Sequence, residues 1–221
     1  MVNLTRDQVH SLSVRVDVDA QLIQDIYDSS FFTFSDRACY YSSGNPARWG
    51  LDCRIPLLSG GERLTKVSNE IANQVRLLGG QQVVGIGCAG ILLVGSVLAI
   101  HHDLQGGVVR PQRKNHGFKR IVEGDLRSEY RTVLVDDILS SGTTLIKAAS
   151  ELRAIGLDVC AAVPIFAFAW RTGAARLSKA RVTCSPLCSL SYSSSRDSSY
   201  VRWETVNTKQ VIWEPQHVRT C

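Results

Sequence analysis

The residues with the most chemistry in this chain are two adjacent carboxylates followed by a run of hydroxyls and one glycine: Asp136-Asp137-Ile138-Leu139-Ser140-Ser141-Gly142-Thr143-Thr144. They follow Thr132 to Val135, a β-branched run that reads as a buried strand. They lead into Thr143 to Ile155, which reads as a helix ended by Gly156. A strand would thus deliver both acids to the C-terminal edge of a sheet. The turn beyond it offers backbone N–H groups and hydroxyls at the positive end of a helix dipole, which suits a phosphate monoester. Like charges repel, so the acids are not phosphate ligands. They can accept hydrogen bonds from sugar hydroxyls, or bind a metal that bridges to the ligand. A strand and an N-capped helix with merely solvated acids is the plainer alternative, yet every position of the string fits the ligand-binding purpose.

That string resembles the phosphoribosyl pyrophosphate (PRPP) motif of the type I phosphoribosyltransferases: apolar residues, two acids, two apolar residues, a hydroxyl, a small residue, Gly and Thr. The resemblance implies that Ser140, Ser141, Gly142, Thr143 and Thr144 hold the 5-phosphate and that Asp136 and Asp137 take the ribose hydroxyls. It further implies Mg²⁺ as cofactor, bound mainly by the ligand's own oxygens, with no dedicated metal site on the protein.

Upstream, Arg110-Pro111-Gln112-Arg113-Lys114-Asn115-His116-Gly117 is similar to the mobile catalytic loop of orotate phosphoribosyltransferases, Arg-Lys-x-x-Lys-x-His-Gly. Arg110, Lys114, His116 and Gly117 match, and Pro111 replaces a lysine. The resemblance assigns Arg110, Lys114 and His116, with Asp136 and Asp137, to catalysis. It also implies a homodimer whose loop residues reach the neighbouring subunit's site. A third match is Gly85 to Ile91, in the place of the family's pyrophosphate loop. Cys88, Ala89 and Gly90 would contact PRPP there, although Ala89 stands where the family has lysine. For the planar base, the resemblance points to Tyr40 or Tyr41 as stacking partners and to Arg171 beside the ring. Phe34 replaces a third family lysine. Each missing cation weakens attraction to an anionic base or pyrophosphate, by about 1.5–3 kcal/mol in a partly desolvated site. The expected activity is phosphoribosyl transfer from PRPP to an orotate-like base with release of pyrophosphate. The alternative is a PRPP-binding regulatory or accessory module that has lost turnover.

The elements that must position these residues alternate. Ser59 to Leu78 reads as an amphipathic helix, Gln82 to Ile86 as a strand, Ile91 to Ile100 as an apolar helix, and Gly107 to Arg110 as a strand. A polar, basic stretch runs from Pro111 to Arg131, and Val159 to Ala169 is another strand. Strands alternating with helices predict an α/β fold, a parallel sheet flanked by helices with ligands at the strands' C-terminal ends. The expected division is 1–60, N-terminal helix and hood; 61–180, PRPP-binding core; and 181–221, a β-rich extension of unknown role. The first thirty residues read as helical. Ser189 to Ser199, with seven serines in eleven positions, reads as a loop, and short strands are expected at Tyr200 to Trp203 and Gln210 to Trp213.

Composition bounds the rest. At 221 residues, 44% hydrophobic and 20% charged, the chain suits one well-buried core plus an appendage. The net charge of +5 is too mild for a general nucleic-acid binder, and five basic residues with no acid between Arg110 and Arg120 equal the whole excess. No apolar leader opens Met1 to Ala20 and no apolar run is long enough to span a bilayer, so a cytoplasmic, membrane-free protein is expected. The seven cysteines are scattered and read as reduced. Cys184-x3-Cys188 and His217-x3-Cys221 have spacing permissible for zinc, but 28 residues separate the pairs, and partly buried thiols are the simpler reading.

Overall fold

The computed structural model describes residues 11–14, 18–33, 39–40, 46–47, 49–110, 121–191 and 219–220. The chain divides into two compact units, Met1–Arg63 with Leu190–Cys221, and Leu64–Ser189.

In the first unit the described elements are β1 (Ser11–Val14), α1 (Ala20–Ser30), β2 (Phe31–Thr33), β3 (Cys39–Tyr40), β4 (Pro46–Ala47), β5 (Trp49–Leu51) and α2 (Arg54–Leu58). Among the described residues, the helix expected over the first thirty holds from Ala20 on, while Ser11–Val14 is strand. Ser11-Leu12-Ser13-Val14 alternates with a period of two, and strand geometry wins there. Asp19 caps α1, its carboxylate accepting from the N–H groups of Gln21 and Leu22 at 3.0 and 3.1 Å. The helix buries Leu22, Ile23, Ile26 and Tyr27. Phe31 continues that core, its ring centroid 5.8 Å from those of both Tyr27 and Trp49. β2 runs antiparallel to β5, and Arg219–Thr220 pairs with β2 in parallel. The strands expected at 200–203 and 210–213 lie outside the described residues.

The second unit carries the alternating pattern: α3 (Gly61–Leu77) leads into β6 (Gln82–Ile86), α4 (Gly87–Ile100), β7 (Gln105–Val109), β8 (Val122–Gly124), β9 (Arg131–Leu139), α5 (Thr143–Ala154), β10 (Asp158–Phe168), α6 (Gly173–Lys179), β11 (Thr183–Cys184) and β12 (Cys188–Ser191). Five strands pair in the order β10-β9-β6-β7-β8, the first four parallel and β8 antiparallel to β7. The chain therefore passes from β6 outward to β7, then crosses back to β9 on the other side of β6. This reversal leaves a crevice between the C-terminal ends of β6 and β9, the usual ligand position in open α/β sheets. The core is apolar and continuous: Val84, Leu134 and Ala162 on the sheet pack with Leu145, Ala149 and Leu152 of α5 and Leu177 of α6. Arg153 fastens the far end of α5, its guanidinium donating to the carbonyls of Ala180 and Val159 at 2.6 Å and Arg181 at 2.9 Å.

Beyond shifts of one or two residues, four boundaries differ from the sequence expectation. β9 runs on to Leu139, because its pairing with β10 continues through Leu139 opposite Ala167. The helix expected from Ile91 begins at Gly87. The basic stretch after Arg110 includes β8, whose Val122 pairs with Val109. The serine-rich loop expected from Ser189 begins as strand, since Cys188 and Leu190 alternate inward and are fully buried. Among the described residues no helix is long and apolar enough to cross a membrane. Among them, too, no three His, Cys, Asp or Glu side chains are grouped to hold a metal ion. Cys184 and Cys188 end β11 and begin β12, whereas His217 and Cys221 lie outside the described residues.

Candidate active site at the sheet edge

Because β6, β7, β9 and β10 are parallel, everything that follows them collects at one edge: Gly87–Gly90 after β6, Arg110 after β7, Asp136–Thr144 at the end of β9, and Arg171 after β10. Asp136 and Asp137 are half-buried within the last residues of β9 rather than in the turn beyond it. The Asp136 Oδ1 accepts from the Asp137 N–H at 3.0 Å, and the Asp137 Oδ1 accepts from the Ile138 N–H at 2.9 Å. Loss of water around Asp136, and then the neighbouring Asp137 charge, push its carboxyl well above the ordinary value of 3.8. Such a carboxylate gains from any hydroxyl or cation that approaches it.

The turn after β9 is shaped by Gly142, the N-cap of α5, whose φ of 72° lies in the left-handed region. Ser141 and Thr143 are exposed, with their hydroxyl oxygens 3.1 Å apart, and the Thr143 N–H reaches Ser141 Oγ at 3.4 Å. The first N–H groups of α5 have no partner within the helix and open toward this turn. The turn is thus rich in donors, as a dianionic phosphate requires.

The second turn, at β6–α4, is built from backbone. Gly87 is left-handed at φ 65°, and α4 begins there, so Cys88, Ala89 and Gly90 form its first turn. Gly85 and Gly90 meet backbone to backbone: a Cβ on Gly90 would stand 2.7 Å from the Gly85 carbonyl carbon. Cys88 is exposed, and Ala89, where the family's lysine was expected, is only 7% exposed. The turn offers main-chain donors and no cationic side chain.

Arg110 is held where the basic segment departs. Its N–H donates to the Ile121 carbonyl at 2.8 Å, and its Nε donates to Glu123 Oε1 at 3.0 Å. The two ends of segment 111–120 are therefore clasped together by the β7–β8 ladder. Lys114, His116 and Pro111 lie in that segment, outside the described residues, as do Tyr41 and Phe34. Tyr40 belongs to β3 of the first unit. Arg171 is exposed in a turn, its N–H donating to the Phe168 carbonyl at 3.0 Å, beside the stacked rings of Phe168 and Trp170, 4.8 Å apart.

One residue at this edge escaped the sequence reading. Arg176 of α6 donates through Nη1 to the Ser141 carbonyl at 2.6 Å and to Thr143 Oγ1 at 3.0 Å. It sits 33 residues from Thr143 on a seven-residue helix, and no local pattern marks it.

This architecture, a parallel sheet with its crevice at the β6–β9 reversal and an acidic strand end running into a hydroxyl turn, is the fold of the type I phosphoribosyltransferases. It is shared with the solved orotate phosphoribosyltransferase of Aeropyrum pernix, with a TM-score of 0.61 at 24% identity over 75% of this chain and 92% of that one. In sequence, the chain is 38% identical over 74 residues to the orotate phosphoribosyltransferase of Halalkalibacterium halodurans, 34% of this chain and 35% of that one. It is 24% identical over 154 residues to the enzyme of that name from Porphyromonas gingivalis, 66% of this chain and 73% of that one. The curated relatives matched at 38% and 28% identity are spanned over only about a third and a half of their own length. No family model matches the chain.

Proposed function

We propose that the chain is a phosphoribosyltransferase of the orotate type, moving the 5-phosphoribosyl group of PRPP onto a ring nitrogen of an orotate-like pyrimidine. The observation that carries this reading is the contiguous strand, acid pair and hydroxyl turn at the sheet's reversal point, in a chain whose curated relatives carry that name. In the reaction the bond from ribose C1 to pyrophosphate breaks with its electron pair leaving on oxygen, and the base nitrogen gives up its proton to solvent and forms the new bond to C1. Ser140 to Thr144 would hold the 5-phosphate, and Asp136 and Asp137 the ribose hydroxyls, fixing C1 relative to the base. The main-chain donors of Cys88, Ala89 and Gly90 would take the pyrophosphate. Arg110, Lys114 and His116 would meet the negative charge that grows on it as it leaves, His116 by donating a hydrogen bond or a proton. Tyr40 or Tyr41 would stack on the base, and Arg171 would lie beside it.

Mg²⁺ fits this edge as a passenger of the ligand rather than a resident of the protein. Two adjacent carboxylates, with no third His, Cys, Asp or Glu grouped with them among the described residues, suit an ion that keeps water and phosphate oxygens for most of its shell. When bound, it would neutralise pyrophosphate charge. The same reading includes a cytoplasmic homodimer in which Arg110, Lys114 and His116 act in the neighbouring subunit's site.

The test is pyrophosphate release from PRPP and Mg²⁺ with a panel of bases including orotate and uracil. Base-dependent release that falls at least about a hundredfold in Lys114→Ala is expected. Release that needs no base would mark a binder with slow hydrolysis. A melting temperature unmoved by PRPP would overturn the reading.

A further inference from the structure

We propose that Arg176 is a positioning residue for the 5-phosphate turn, setting the Thr143 hydroxyl as a donor and occupying the Ser141 carbonyl. The inference rests on the reading of that turn as the PRPP phosphate site.

The argument is one of hydrogen-bond bookkeeping. A guanidinium has only donors. Thr143 Oγ1, 3.0 Å from Arg176 Nη1, must therefore accept there, and its single hydrogen points elsewhere. Ser141 Oγ in turn accepts from the Thr143 N–H at 3.4 Å and lies 3.1 Å from Thr143 Oγ1, so one hydroxyl hydrogen joins the two oxygens and the other is left to be given away. A phosphate dianion only accepts, so the hydrogen left over from this hydroxyl pair suits it. The Ser141 carbonyl would repel an anion, and Arg176 engages it at 2.6 Å.

The backbone makes this placement specific. Gly173, at the start of α6, is seated against Leu139 and the Ser140 carbonyl so closely that a side chain there would collide with both. Gly142 approaches Gly173 from the other side, its Cβ position 3.3 Å from the Gly173 Cα. Arg176 follows Gly173 by three residues and so projects from the same face of the helix. Among the described residues it is the only cationic side chain hydrogen-bonded to this turn. Its charge adds attraction for a phosphate in a molecule where Ala89 leaves the other turn without one.

The experiment compares wild type with Arg176→Ala, Arg176→Gln and Arg176→Lys, using ribose 5-phosphate and pyrophosphate as separate calorimetric probes and PRPP in steady-state turnover. Ribose 5-phosphate should bind about tenfold or more weakly to Arg176→Ala. Pyrophosphate, which occupies the other turn, should change less than about twofold. KM for PRPP should rise with kcat nearly constant, and Arg176→Lys should recover part of the loss while Arg176→Gln recovers less. A purely structural clasp would weaken both probes together and lower the melting temperature in step. That result, or unchanged ribose 5-phosphate binding in Arg176→Ala while wild type binds PRPP, overturns this inference alone. Wild-type protein that binds neither PRPP nor ribose 5-phosphate overturns the functional reading as well.

Discussion

The turns at the ends of β6 and β9 lie on neighbouring strands of one sheet edge, and each contains a left-handed glycine, Gly87 or Gly142. They are otherwise built on different plans. The β9 turn presents side chains: two acids, four hydroxyls at Ser140, Ser141, Thr143 and Thr144, and an arginine brought from α6. The β6 turn has only main chain to offer, compressed until Gly85 and Gly90 touch. A turn made of side chains loses function by degrees, one contact at a time. A turn made of backbone contact tolerates almost no added atom, yet is indifferent to the side chains that point away from it.

The largest expected effect follows from that contrast. Gly90→Val places branched carbons where the Gly85 backbone and the Val135 carbonyl stand. The strand and helix must separate, at a cost of about 1–3 kcal/mol or more. Thermal unfolding should show a drop of several degrees, with PRPP binding lost alongside. An unchanged melting temperature would remove the distinction between the two turns.

Asp136→Asn should act in opposite senses on stability and on activity. In the folded chain Asp136 is harder to ionise than in the unfolded chain, so the native state holds the proton more tightly. Wild-type stability therefore falls, relative to the Asn variant, as pH rises from near 3.8 toward the raised native value, and the difference is constant above it. Denaturant titrations across that range should show the Asn variant gaining on wild type. Base-dependent pyrophosphate release should fall on the order of a hundredfold in the same variant, because a neutral amide holds ribose hydroxyls poorly.

Thr143→Val tests the graded character of the hydroxyl turn. KM for PRPP should rise by about tenfold, as for loss of one hydrogen bond to a charged group, with kcat changed little. The smallest effect is expected away from both turns. Glu123→Gln breaks an ion pair whose two side chains are about one-third exposed, and should cost no more than about 1 kcal/mol in a denaturation experiment.

What could be read from the sequence was what is contiguous in it. The acid pair, the hydroxyls and the glycine lie within nine positions, and the strand and helix that carry them have the apolar periodicities that define those elements. The parallel sheet followed from alternation alone, whereas Arg110 and Arg171 were marked by family resemblance at the ends of expected strands. Arg176 could not be found in this way, since it meets the turn from 33 and 35 residues away. β8 is three residues, Val-Glu-Gly, within a charged stretch, and only its pairing with β7 makes it a strand. At Ser11–Val14 two periodicities competed, and the shorter one prevailed.

The arginine clasp on α5 has a thermodynamic meaning. Arg176 ties the start of the helix to α6, and Arg153 ties its last turn to the residues just after α6 and to Val159 near the start of β10. A helix fastened at both ends has little freedom left to surrender when an anion arrives at its N-terminus. Ordering a loose, rotamer-rich side chain on binding costs about 0.5–1.5 kcal/mol each, and here much of that entropy has already been lost on folding. As the proposed phosphate site, the β9 turn would be a preorganised receptor, its affinity limited by desolvation rather than by the need to assemble it.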